Sequence, residues 1–99
     1  MARFDVYARS REQQLLLDVQ ADYLSGIDTR LIVPLRRPLA AAALGRRLNP
    51  VFDIAGEPHM MMTQLATAVR IRDLGRFVTS LQDEADAIRD ALDMLLVGF

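Results

Sequence analysis

From Ser80 onward the apolar residues recur at helical spacing, and that pattern constrains the chain more than any other stretch of it. With Leu81 at the centre of a stripe and an advance of about 100° per residue, Ala85, Ile88, Leu92, Leu95 and Leu96 all fall within roughly 60° of it. The spacing predicts one helix with a single buried face. Ser80 is the expected N-cap, and Asp83 three residues on suits the positive end of the helix dipole. Val97 falls about 160° away, on the face that carries Asp86, Asp90 and Asp93. A valine there either meets a second chain or is an ordinary exposed apolar side chain. The last residues, Leu95-Leu96-Val97-Gly98-Phe99, are apolar where a chain end frays unless something holds it.

A helix with one apolar face needs a second layer, and the residues before it supply strands. Arg3-Phe4-Asp5-Val6-Tyr7 alternates, with Phe4 and Val6 on the core side and Tyr7 on the other, where its hydroxyl can reach water or a partner. Ala8 to Gln14 is a polar turn into a second strand, Leu15 to Gln20, and the two form a hairpin. Asp22 to Thr29 is rich in turn residues yet carries Tyr23, Leu24 and Ile27, either tucked under the loop or offered to a partner. Leu31-Ile32-Val33-Pro34-Leu35 is a strand. Pro34 lacks an N–H, which marks an edge or a strand end there.

Pro38 and Gly45 limit Leu39 to Leu44 to a short helical turn, flanked by Arg36, Arg37, Arg46 and Arg47. These arginines form either a solvated loop or a basic, phosphate-binding one. Asn49-Pro50 turns the chain into a strand at Val51-Phe52-Asp53-Ile54, and Ala55 to Pro58 turns it back into a paired strand, His59 to Thr63. Met60, Met61 and Met62 read as adaptable core filling. Gln64 to Ala68 is a connection, Val69 to Leu74 a short strand or turn, and Gly75 a break.

The chain has 99 residues, a single domain's worth, with 52% hydrophobic and 25% charged residues. Its net charge of -1 gives no support to nucleic-acid binding driven by bulk charge. All twelve basic residues are arginine, and there is no cysteine, so disulfides, thiol nucleophiles and thiolate metal sites are excluded. One histidine, His59, leaves no histidine pair for acid–base work or metal binding. No glycine-rich phosphate loop is present. No apolar run approaches the length of a membrane span, and no signal segment opens the chain, so the expected location is the cytoplasm. Read from its residues, this is a small interaction protein with no cofactor and no catalytic constellation.

Val6-Tyr7, Asp18-Val19-Gln20 with Asp22, Arg30 through Val33-Pro34-Leu35, Pro50-Val51, Ile54, Met61-Met62-Thr63, the Gly75 break and the closing helix follow one another in a characteristic order. In that order and spacing, and over the whole chain from 1 to 99, they resemble the CcdB family of bacterial toxin–antitoxin systems. The resemblance implies a mostly β fold with a C-terminal α-helix, an SH3-type β-barrel, assembled as a two-fold homodimer. It implies a toxin that is not an enzyme, binds the DNA gyrase A subunit through its tail and traps gyrase on cleaved DNA. By that likeness Val97, Gly98 and Phe99 contact gyrase, and Tyr7, Tyr23, Leu24 and Asp93 contact a CcdA-like antitoxin, a disordered segment that folds on the toxin. DNA is met only indirectly. The family's best-known members carry tryptophan where this chain has Val97. Two alternatives stand beside this: a MazF-like endoribonuclease toxin using the Arg36 to Arg47 loop on phosphate, and a degenerate family member that binds antitoxin and poisons nothing.

Overall fold

The structure, a computed structural model, describes residues 2–9, 14–38 and 46–99. Its strands are β1 (Asp5–Ala8), β2 (Leu15–Asp18), β3 (Thr29–Arg36), β4 (Val51–Ile54), β5 (Glu57–Met61), β6 (Thr67–Arg70) and β7 (Arg76–Ser80). Among the described residues the α-helix is α1 (Ala85–Leu96). All pairings are antiparallel, in the order β4-β5-β3-β2-β1-β7, with β6 also on β3. The sheet curls into a half-barrel with the C-terminal helix packed on it.

β1 and β2 form the expected hairpin, with Val6 opposite Leu17 and the Arg9 N–H donating to the Gln14 carbonyl (3.0 Å) at its mouth. The strand begins two residues later than the alternation alone suggests. Phe4 lies outside it at φ +75°, a conformation costly for a bulky residue. Three restraints hold it there. Its ring is buried, its N–H donates to the Asp18 carbonyl (2.6 Å), and its own carbonyl accepts from Leu81 N–H (2.8 Å).

β3 is central rather than an edge; of the two options Pro34 left open, the strand ends nearby, at Arg36. It pairs with β2 along one side; on the other it pairs with β6 at 29–32 and with β5 at 35–36. The Pro34 carbonyl accepts from Met62 N–H (2.9 Å), so its ring nitrogen faces that same side, in the interval between the two partners. A missing donor costs nothing in that gap.

Both faces of the sheet are covered. Phe4, Val6, Leu17, Val19, Val33, Leu35, Phe52, Ile54 and Met61 pack with Leu81, Ala85, Ile88 and Ala91 in the main core. Tyr7, Leu16, Ile32 and Leu74 form a smaller cluster. This two-sided burial is why Leu15-Leu16-Leu17 reads as a run instead of an alternation.

Two sequence expectations need correction, one strand is new, and one turn is only narrowed. Residues 67–70 form β6, and Ile71–Asp73 a 3-10 turn, so the connection expected at Gln64 to Ala68 is a strand in its last residues. Residues 76–80, between the expected break at Gly75 and the expected cap at Ser80, form a strand the sequence did not announce, β7 on β1, with Gly75 as its hinge. Gly75 sits at φ +86°, and a Cβ there would lie 2.1 Å from the Ala8 carbonyl oxygen, so only glycine lets β7 close on β1. Ser80 ends that strand; its Oγ accepts the Gln82 N–H (3.2 Å) and opens a 3-10 turn, Gln82–Glu84, before α1 starts at Ala85. The turn after β4 is narrower than expected, Ala55-Gly56, since Ile54 already pairs with Glu57. The expected helical turn at Leu39 to Leu44 lies outside the described residues.

Candidate functional site

Two groups of exposed apolar side chains stand out, one at the end of α1 and one on the loop after β2. Along α1 the buried residues are Ala85, Ile88 and Ala91, with Leu92 partly buried against the main core. Leu95 and Leu96, expected in the buried stripe, are exposed instead, Leu96 by 75%. The last turn of the helix lies outside the core, so the periodicity continues where none of the described residues buries it. Val97 is exposed, as its angular position requires, and Phe99 is 80% exposed.

The Asp93 carbonyl closes this end by accepting both Val97 N–H (2.8 Å) and Gly98 N–H (3.1 Å). Gly98 then adopts φ +88°, a left-handed turn that glycine takes at no steric cost, and Phe99 leaves the helix axis. On the outward face Asp86 pairs with Arg89 (2.8 Å) and Asp90 with Arg47 (3.0 Å). The Asp93 carboxylate has no ion-pair partner among the described residues.

The second group lies between β2 and β3. Asp22–Leu24 form a 3-10 turn, and no residue from 21 to 28 is buried. Tyr23 is 95% exposed, beside exposed Leu24 and Ile27. Of the two options the loop offered, these side chains take the outward one.

Tyr7 does lie across the sheet from Val6, but it is not a free surface residue. Only 7% of it is exposed; its ring meets Phe77 edge to face, centroids 6.1 Å apart, and its hydroxyl donates to Asp5 Oδ2 (3.4 Å). Burial, together with the charges of Asp5 and Asp18, pushes its pKa from 10.0 up to about 12. What this side of β1 shows to solvent is the exposed Phe77, which the sequence reading did not single out. Its signal was Phe77-Val78-Thr79, a strand-like triplet too short to register next to a helix.

Beneath the loop lies a buried ion pair that the sequence reading quoted without pairing its members. Arg30 Nε and Nη2 each reach Asp18 Oδ2 at 2.8 Å, with both side chains buried. Asp18 Oδ1 also accepts the Gln20 N–H (3.0 Å). Burial pushes the Asp18 carboxyl above its ordinary value, opposed by the hydrogen bonds from Arg30 and Gln20. Arg3 adds two ties, donating its backbone N–H to Asp22 Oδ1 (2.7 Å) and its Nε to the Val19 carbonyl (3.0 Å).

Of the arginines flanking 39–45, Arg37 is paired with Glu57 and Arg47 with Asp90. His59 Nδ1 lies 3.1 Å from the Glu57 carbonyl. Among the described residues no three His, Asp or Glu side chains are grouped to hold a metal ion. No helix among them is long and apolar enough to cross a membrane.

The described residues form a curled half-barrel with one C-terminal helix, and apolar side chains are exposed at the helix end and on a loop. The model of the CcdB protein family matches residues 3–98, and the chain belongs to the CcdB family of toxins. Among solved structures, the Mycobacterium tuberculosis toxin MazF-mt6 is similar in fold, with a TM-score of 0.72 at 14% identity over 92% of this chain and 93% of that one.

Proposed function

We propose that this chain is the toxin of a toxin–antitoxin pair and acts by protein–protein contact. Its tail binds the DNA gyrase A subunit and traps the enzyme on cleaved DNA. The observation that carries the reading is the end of α1, where Leu96, Val97 and Phe99 are exposed around a left-handed Gly98. Apolar side chains held in a defined geometry at a chain end suit insertion into a partner, because little ordering entropy is left to lose on binding. A homodimer sets two such tails side by side. The antitoxin meets Tyr23 and Leu24, with Asp93 as a charged contact; on the β1 side Phe77, rather than the buried Tyr7, supplies the exposed ring. The setting for such a pair is the cytoplasm.

The test is growth arrest on induced expression, with DNA cleavage by purified gyrase followed alongside, for the full chain and for a chain ending at Leu96. Arrest with trapped cleaved DNA, both lost on truncation, is the expected result. A folded protein that traps no DNA overturns the gyrase reading and leaves a family member that binds antitoxin alone.

The likeness in fold to a MazF toxin favours a second reading, endoribonuclease activity with the arginines around 36–47 on phosphate. Arg37 and Arg47 are engaged by Glu57 and Asp90, which leaves less free positive charge there for a phosphate chain. RNA cleavage by the purified chain, abolished in an Arg46→Ala, Arg47→Ala variant, is the outcome that supports this second reading over the first.

A further inference from the structure

Gln20, where the chain leaves β2 for the exposed loop, uses all four of its polar groups. Its backbone N–H donates to Asp18 Oδ1 (3.0 Å), and its carbonyl accepts from Arg30 Nη2 (3.2 Å). Its side-chain Oε1 accepts the Leu31 N–H (3.0 Å), and Nε2 donates to the Leu24 carbonyl (3.2 Å). The backbone of Gln20 is thus tied to the buried ion pair, and its amide spans from β3 to the middle of the loop.

The loop needs such a tie. No side chain from 21 to 28 is buried, so no apolar anchor fixes it. Its internal backbone bonds, Leu24 N–H to Ala21, Ser25 N–H to Asp22 and Ile27 N–H to Leu24, are local turns. Three ties hold its ends, Arg3 N–H and the Arg30 guanidinium (4.0 Å) on Asp22 and Ile71 N–H on the Asp28 carbonyl (3.0 Å). Among the described residues, the Gln20 amide is the tie that reaches between those ends, at the residue next to Tyr23.

We propose that Gln20 is a positioning residue for partner binding, whose side-chain amide holds Tyr23 and Leu24 in the geometry a partner meets. The proposal rests on the reading of that loop as an antitoxin-docking surface. A binder that meets a loop already in its competent conformation does not have to draw it from a minor population. When the competent fraction falls, apparent affinity falls by the same factor. Gln20 acts through the loop and touches no partner.

The experiment uses the full chain, wild type and Gln20→Met, which keeps the length of the side chain and removes both amide bonds; Gln20→Ala serves if the methionine variant does not fold. Amide exchange is expected to quicken about tenfold across 22–27 and to stay unchanged in β1 and β2. Uniform quickening, or none, overturns the proposal. Affinity is measured for a CcdA-like antitoxin chain. Gln20→Met is expected to weaken it about tenfold, and in a Tyr23→Ala background to weaken it no further. Equal losses in both backgrounds mean that Gln20 acts elsewhere, and overturn the proposal. If the wild type does not bind that chain, the docking reading fails, while the exchange comparison still decides whether Gln20 holds the loop.

Discussion

Arg30 and Asp18 form a pair in which Nε and Nη2 of the arginine converge on one carboxylate oxygen at 2.8 Å, both side chains buried. Asp18 Oδ1 and Arg30 Nη2 are also bonded to the backbone of Gln20, so the pair is satisfied on both sides. A buried pair contributes little beyond an apolar pair of the same shape, yet it is costly to break from one side.

Arg30→Ala is therefore expected to destabilise the chain by about 3–5 kcal/mol, because it leaves Asp18 buried without its partner. The double variant Asp18→Leu, Arg30→Met is expected to lose much less. Urea unfolding of the three proteins measures both. A double variant as unstable as the single one would show that the pair itself carries the stability.

Tyr7 gives an alkaline signature. The folded chain keeps the phenol protonated up to about 12, whereas the unfolded chain releases that proton near 10.0. Its contribution is whole below pH 10 and is lost as pH climbs toward 12. The stability difference between wild type and Tyr7→Phe should shrink across that window. In a spectrophotometric titration of the folded protein, the component near pH 12 should be missing from Tyr7→Phe.

Gly75→Ala combines a left-handed backbone with a Cβ 2.1 Å from the Ala8 carbonyl oxygen. A loss of about 3 kcal/mol is expected from backbone and overpacking together. Gly98→Ala has the same backbone problem but nothing within 4 Å, and it lies at the chain end. It should leave the unfolding midpoint nearly unchanged while altering the tail's path, and with it gyrase trapping. Thermal melts beside cleavage assays separate the two effects.

Val97→Trp tests the tail from the opposite direction. A desolvated indole can stack on a partner's arginine, a contact of about 2 kcal/mol that valine cannot make. Under the gyrase reading, the concentration needed to trap cleaved DNA should fall roughly thirtyfold. No change would mean that position 97 does not meet such a group.

How much of this was readable in the sequence depended on how local each signal was. Alternation located β1, an apolar run located β2, the branched residues located β3 and the Asn49-Pro50 turn located β4, because each of these signals lies within a few neighbouring residues. The stripe along α1 was legible for the same reason through Ile88, then misled at Leu95 and Leu96. Periodicity says which way a side chain points, not whether a sheet lies beneath it. Tyr7 shows the same limit. Its face was right, and its burial came from Phe77, whose strand is brought alongside by a hinge at Gly75.

By itself the sequence determined strands β1 to β5, the closing helix, the absence of thiol chemistry and the order of segments that marks the CcdB family. Tertiary structure alone decided that Pro34 lies within a central strand, that Asp18 and Arg30 meet, and that Gln20 bridges to Leu24. Those relations join residues from different elements, and their energies depend on burial that no local spacing records. The outward-facing tail needed both: residues at helical spacing, and a core that, among the described residues, does not reach the last of them.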